Sequence, residues 1–506
     1  MKKTLSIIAI LAAAISCQLH REDYTEIYED QFFKTENDLF LAVNALYYDF
    51  NTGDWNGVYE ADGKGYQTFS DMTTDLAWCN WGWGWDNYHF HQWRFNVGIN
   101  DEVWTHFSRY RFLSQARQTI RRIEKANVDD DLKPLYIAEA KALRGWMALY
   151  LYDFFGPVPV ASDEVLDNPT EFAYLERLSE EEWDKMMESD LLYAIENLPA
   201  QRDRGRMSKG SSRMILMKYY MIRGGEMERA GKHAEALGFF KKAEDLARDL
   251  LAMEGSVYSL QPDYNYVFSK TGIGNNEIVL CLPANNGISG WVNYMVAECL
   301  PEDMPWAGKG TGWGGYFMPW EFYDSFENGD TRLENVFDHY TTKLGVEKSR
   351  LDLNGAVVMK YGLDPEMLDS RCFIDVVVYR FSDVLLTLAE CINRREGGPT
   401  QEAIDLVNRV RTRAGIQELS LATENYESFN ERILTERGHE FFFEGLRRQD
   451  LIRFGKYVEY ANQRIDDANA SRAAGYFNVD DSHNRFYIPE SFIQESKNKI
   501  KQNPGY

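Results

Sequence analysis

Cysteine is scarce in this chain: six in 506 residues. One is Cys17, and the rest are Cys79, Cys281, Cys299, Cys372 and Cys391. None lies at CxxC spacing, so neither a zinc ribbon nor a dithiol redox site is supported. The odd number after Cys17 leaves disulfides and buried free thiols equally open. Histidine is also rare, at eight. His89 and His91 have the spacing of some metal sites but lack a third ligand nearby, and so read as packing or ligand-contact groups; no metal or cofactor is expected. Positive charge is in deficit, with 55 Lys and Arg against 79 Asp and Glu, a formal charge of −24. Such a surface is a poor match for nucleic acid or anionic lipid; a neutral ligand carries no such penalty. Beyond residue 17 no apolar run approaches the ~20 residues of a membrane span.

Catalytic signatures are missing as well. Gly310-Thr311-Gly312-Trp313-Gly314-Gly315 superficially resembles a phosphate loop but lacks the Lys-Ser/Thr order that one needs. Gly287-Ile288-Ser289-Gly290 has the wrong spacing for a serine nucleophile elbow. Acids abound, yet no local motif nominates the carboxylate pair, ~5–9.5 Å apart, that glycoside hydrolysis uses. No catalytic residue is assigned.

The first residues have a definite character. Lys2 and Lys3 precede the apolar stretch LSIIAILAAA, and small residues lead to Cys17. This is the layout of a signal peptide over residues 1–16, and the small residues before Cys17 resemble a bacterial lipobox. Cys17 is then the lipidated residue, carrying diacylglycerol and an acylated amine, since several acyl chains make a stable anchor. An ordinary secretory signal is the alternative. The following QLHRED only partly resembles an acidic export tag.

Tryptophan, by contrast, is concentrated. Of thirteen, six fall at Trp78, Trp81, Trp83, Trp85, Trp93 and Trp104, and four at Trp291, Trp306, Trp313 and Trp320. Both windows are rich in Gly and Asn or Pro. Rings interleaved with such residues suggest flat apolar-and-polar faces displayed on irregular backbone, suited to sugars. Trp81, Trp83 and Trp85 would share one face of a strand. Trp104, at a helix start, is expected in the core, with Trp93 a second candidate for it. The ligand-contact set is Trp81, Trp83, Trp85, Trp291, Trp313, Tyr316 and Trp320, with Asn80, Asp86, Asn285 and Asn286 as hydroxyl partners.

Around these windows the chain reads as helical. Thr35 with Asp38 marks a helix start, and that helix runs to about Phe50. Others are expected at Asp101 to Ala126, Leu132 to Phe155 (stopped by Gly156-Pro157), and Ser179 to Leu198. Residues 208–253 form a pair turning near Gly224-Gly225 or Gly231; Phe381–Arg394 and Thr400–Arg413 form another; a last block covers Tyr426 to Ala461. Glu277–Leu282 and Val376–Tyr379 are short strand candidates. Helix pairs of 35–45 residues suggest a tetratricopeptide-like superhelix. The fold class is therefore mainly α: about four helix pairs, a long loop-rich insertion subdomain and few short strands. The expected units are residues 17–254 with a loop at 51–100, an insertion at 255–375, and a helical part at 376–506, together one compact unit. The charge-dense stretch from Glu436 to Asp450 reads as a buried Arg–carboxylate network pinning a loop between helices.

Several segments carry a resemblance. They are Phe33-Lys34-Thr35-Glu36-Asn37-Asp38; Glu139 to Gly145 with Phe155-Gly156-Pro157-Val158-Pro159; Arg206 to Gly210; and Tyr379 to Leu386 with Ala389-Glu390. Asn408 to Gly415, Glu436-Arg437 to Gly455, and the closing Gln502-Asn503-Pro504-Gly505-Tyr506 complete the set. Together they resemble the SusD/RagB family of outer-membrane, nutrient-binding lipoproteins of Bacteroidetes, from Phe33 to Tyr506. Phe454, Arg117 and Cys391 depart from its usual residues. The resemblance implies a tetratricopeptide-like fold and a lipid-anchored, outward-facing position in the outer membrane. It implies a non-enzymatic role, binding a glycan and lidding a SusC-like TonB-dependent transporter. It implies a ligand site on the early loop and the central insertion, where the Trp windows lie. A non-sugar nutrient such as a peptide or glycoprotein, a glycoside hydrolase, and a pure protein-binding scaffold are the alternatives.

Overall fold

The computed structural model describes residues 32–50, 58–59, 65–81, 101–168, 174–286, 291–306, 309–472 and 475–506. The leader, Cys17, Trp83, Trp85, Asp86, His89, His91 and Trp93 lie outside the described residues.

The architecture is mainly helical. The principal helices are α1 (Glu36–Tyr47), α2 (Tyr66–Asp71), α3 (Asp101–Ser108), α4 (Tyr110–Lys125), α5 (Lys133–Phe155), α6 (Glu180–Asn197), α7 (Lys209–Arg229) and α8 (His233–Leu251). After the insertion come α9 (Phe381–Glu396), α10 (Gln401–Arg413), α11 (Tyr426–Glu440), α12 (Arg447–Arg453) and α13 (Tyr457–Arg472). Local chemistry sets their ends. Thr35 and Asp38 form a capping box on α1, and Ser179 and Glu182 form another on α6, which satisfies amides that have no intrahelical partner. Gly156 and Gly397 close α5 and α9.

Neighbours pack in succession: α4 on α5, α5 on α6, α6 on α7, α7 on α8, α8 on α9, and α9 on α10 and α11. The chain of contacts passes directly from α8 to α9, so the stack continues across the 255–375 insertion. Helix α5 is buried on nearly all sides, its Glu139, Arg144 and Asp153 paired with Arg206, Asp190 and Arg448. The α7–α8 turn falls at Gly231. Gly224 instead sits inside α7, where a β-carbon would stand 2.6 Å from the Phe240 ring of α8. It is a close-approach residue, not a turn.

The two strand candidates pair with each other. Ile278–Leu282 and Val376–Arg380 run antiparallel with a bulge, Val376 opposite Leu282 and Arg380 opposite Ile278. They fasten the two ends of the insertion at its base. All five cysteines among the described residues are free and buried. Among those residues no helix is long and apolar enough to cross a membrane.

The buried charge network lies beside that strand pair. Arg380 donates to Glu444 from Nε and Nη2, each at 2.8 Å, to Glu277 at 2.9 Å, and also to Glu440. Arg332 holds Asp330 at 2.7 Å and Glu436 at 2.6 Å, and Arg413 reaches Glu277 and Glu440. Lys360 donates to Glu444 and to the Phe442 carbonyl, both at 2.6 Å. Burial pushes the Glu440 carboxyl upward, but Arg380, Arg413 and Arg332 outweigh it and hold it well below the usual range. Burial lowers Lys360 to about 8, against the pull of Glu444. A second set links α7, α9, α11 and α12: Lys218 and Arg437 on Asp383, Arg453 on Glu390. The motif from Glu436 to Asp450 is thus structural.

Three sequence expectations need correction. The helix expected from Asp101 to Ala126 is broken at Arg109 into α3 and α4. Trp104 is not core: it is 38% exposed and stacks on Phe492 at 5.3 Å. Residues 426–461 do not form one helical block. The chain breaks after Glu440, with Phe443 at φ 56° and Gly445 at φ 76°, and this turn carries Glu444 into the charge network.

Candidate functional site

The two Trp windows meet. The short helix Met295–Cys299 ends on carbonyls that need partners, and the Gly-rich loop supplies them. Trp313 N–H donates to the Ala297 carbonyl at 2.6 Å, Gly314 N–H to Leu300 at 2.9 Å, and Gly315 N–H to Glu298 at 2.7 Å. The loop then runs into Tyr316–Phe317, which pairs antiparallel with Trp78–Cys79. Asn80 N–H extends the pairing to the Gly315 carbonyl at 2.6 Å.

This geometry lays the Trp81 ring across Gly315. A β-carbon at 315 would sit 2.1 Å from that ring, so only glycine admits it. Trp81 Nε1 donates to the Trp313 carbonyl at 3.1 Å. Ring centroids are 5.1 Å apart for Trp81 and Tyr316, and 6.2 Å at a 55° tilt for Trp81 and Trp313. Tyr294 stacks on Trp313 at 5.5 Å. Trp81 and Trp313 are half-buried, whereas Tyr316 is 3% exposed. Tyr316 therefore supports the cradle from below and does not itself meet solvent.

The back of the cradle is fixed to the scaffold. Trp78 and Phe317 pack with Ala461, Ile465 and Ala468 of α13. The segment leading into Trp78 is tied to the turn between α11 and α12. Gln67 donates to the Phe443 carbonyl, Gly445 N–H donates to Asp71 at 3.0 Å, and Arg447 grips Asp75 through two bonds of 2.9 and 2.8 Å. Burial pushes the Asp71 carboxyl well above its ordinary pKa, with the Gly445 N–H opposing. Such bidentate pairs add geometric specificity.

The remaining residues of the expected contact set are placed as follows. Asn80 is exposed and accepts from Asn354 at 2.9 Å. Trp320 is half-buried on a short helix; Arg350 covers its ring at 4.4 Å, anchored by Asp324. Trp291 is half-buried, and its carbonyl accepts from Asn285 N–H at 2.9 Å; Asn286 beside it is exposed. The structure thus brings Trp81, Trp313 and Tyr316 together, with Asn80 at their edge. Tyr294 and Asn354 were not anticipated. One is a tyrosine among thirty and the other an isolated Asn, so neither stands out by spacing.

A cavity of about 260 Å³ lies elsewhere, against Tyr152, Glu226, Arg229, Arg453 and Arg485. Its charges are already engaged, Arg485 with Glu226 at 2.7 Å and Arg453 with Glu390, so it reads as a seam between helices. Among the described residues no cluster of His, Cys, Asp and Glu is suited to a metal ion.

Residues 370–506 match the sequence profile of the SusD family. A SusD-like protein of Bacteroides ovatus is 26% identical over 394 residues, covering 72% of this chain and 68% of that protein. A SusD homolog of Bacteroides thetaiotaomicron aligns with a TM-score of 0.76 at 20% identity, over 95% of this chain and 99% of the other. Surface glycan-binding protein A of the same organism, in complex with laminarihexaose, aligns with a TM-score of 0.69 at 22% identity, over 92% and 99%.

Proposed function

We propose a cell-surface glycan-binding role for this chain, supported by the SusD-family profile over residues 370–506 and by a fold that aligns with a SusD homolog. The protein captures an oligosaccharide or polysaccharide on the aromatic cradle and delivers it to a SusC-like TonB-dependent outer-membrane transporter. It is held at the outer membrane, facing outward, by lipid on Cys17 after removal of residues 1–16, and it carries out no reaction. Residues 17–254 and 376–506 serve as scaffold, and 255–375 with the 51–100 loop as the ligand face.

The observation that carries this reading is the convergence of both Trp windows on one half-buried cradle, Trp81 beside Trp313 at 6.2 Å. Burying such rings against a sugar face supplies up to a few kcal/mol each (about 25 cal/mol per Å²), offset by ordering costs. Expected affinity is therefore about micromolar to millimolar. Trp83, Trp85, Asp86, Trp291, Trp320, Asn285 and Asn286 are the further ligand contacts of this proposal. Two members of the set act indirectly: Tyr316 as support, and Trp320 only if Arg350 moves aside.

The test is affinity electrophoresis and calorimetry on a panel of neutral glycans, with reducing ends monitored. The expected result is binding without turnover, abolished in a Trp83→Ala/Trp85→Ala/Trp313→Ala variant of native circular dichroism. Unchanged binding by that variant would overturn the placement. New reducing ends would make the protein a hydrolase, and binding of peptides alone would make the ligand a non-sugar nutrient.

A further inference from the structure

We propose that Asn354 is a ligand-contacting, specificity-determining residue, and that with Asn80 it forms one hydroxyl-reading unit on the rim of the cradle. The inference rests on the glycan-binding reading above and deepens it.

Asn354 lies 274 positions from Asn80 in sequence, yet its Nδ2 donates to Asn80 Oδ1 at 2.9 Å, with both residues exposed. The fold fixes this meeting. Met318 and Ala356 exchange main-chain hydrogen bonds of 3.0 and 2.8 Å, which adds residues 354–356 beside Tyr316–Phe317. A β-carbon at Gly355 would stand 2.2 Å from the Phe317 ring, so the strand comes as close as backbone allows. Asn80 leaves Trp78–Cys79 on the other flank of Tyr316–Phe317. The two amides therefore bridge across the cradle from opposite sides.

A primary amide offers two donors and one acceptor group. Their mutual bond uses one donor of Asn354 and one lone pair of Asn80. It leaves the Asn80 amino group as donor and the Asn354 carbonyl as acceptor, side by side and oriented by each other. That pattern complements two adjacent hydroxyls of a sugar ring, one accepting and the other donating, while the ring's apolar face rests on Trp81. Two amides carry no charge, and Glu302, exposed, follows Pro301, which packs on the Trp313 loop. The ligand feature this pair reads is accordingly two vicinal hydroxyls of a glycan.

The experiment is calorimetry of the full-length mature protein with neutral oligosaccharides and their deoxygenated analogues, for wild type, Asn354→Ala, Asn80→Ala and the double variant. The expected result is a rise in Kd of about five- to tenfold for each single variant, typical of lost neutral hydrogen bonds. The double variant should be less than additive, with the unfolding midpoint unchanged. One deoxy analogue should bind wild type and Asn354→Ala alike. If wild type binds the panel and Asn354→Ala binds it equally well, the proposal fails while the glycan reading stands. If wild type binds no neutral glycan, both fail.

Discussion

At the base of the insertion, Arg380 and Arg332 hold Glu277, Glu440, Glu444, Asp330 and Glu436 with the side chains wholly or nearly wholly out of solvent. At its rim, half-buried Trp313 stands on a loop held by main-chain bonds to Ala297, Glu298 and Leu300, and half-buried Trp81 lies across that loop with its Nε1 on the Trp313 carbonyl. The base is fastened by charge and the rim by backbone. A buried pair tolerates little loss, because removing one partner strands the other without water. A ring on a backbone-pinned loop can be exchanged without unfolding the loop.

The contrast can be broken from either end. The largest effect is expected for Arg380→Gln, which strands buried carboxylates and should cost about 3–5 kcal/mol. Denaturant unfolding reads this directly, and an unshifted midpoint would show that charge does not hold the base. Acid should reproduce part of that loss. Burial raises the carboxyls of Asp383 and Glu440, but Lys218 and Arg437 on one, and Arg380, Arg413 and Arg332 on the other, hold both below their ordinary values. Their contribution is complete above the unfolded carboxylate range, about pH 4. It is lost progressively as pH falls from there toward the lower folded values. Thermal unfolding between pH 7 and 3 should show stability falling only on the acid side of that range.

At the rim, Gly315→Ala should displace Trp81 and weaken glycan binding about tenfold, or ~1.4 kcal/mol. It should move the unfolding midpoint far less than Arg380→Gln does. Equal effects on folding and binding would erase the distinction. The smallest change is expected for Arg350→Ala. Its exposed pair with Asp324 contributes about 0–1 kcal/mol, and uncovering Trp320 should strengthen binding or leave it unchanged. A marked loss of binding would make Arg350 itself a contact.

Much of the frame was legible in the sequence because its signals are local. Thr35 with Asp38, Ser179 with Glu182, and Gly156 after Phe155 each mark a helix end within four residues. What escaped depends on distant neighbours. Nothing near Arg109 announces the break between α3 and α4. Nothing near Phe443 shows that its turn exists to deliver Glu444 to Arg380, which packs from another strand. In the cradle, the tryptophans were visible as composition. Their pairing was not, since Gly315 matters only once Trp81 lies across it. Trp104 misled because a large ring at a helix start is usually covered, whereas here it stacks on Phe492 and still leaves 38% of the residue exposed.

The direct packing of α8 on α9 closes the helical stack behind the insertion, which is tied back to that stack by its strand pair and by Arg332 and Lys360 on Glu436 and Glu444. Yet the cradle it carries is only half its own. Transplanting residues 255–375 onto a related scaffold would bring Trp313 and Gly315 but leave Trp81 and Asn80 behind. On the proposed reading, a change of ligand preference calls for paired change in two stretches more than two hundred positions apart. Chimeras that exchange both stretches should carry specificity with them, and those that exchange one should bind nothing well.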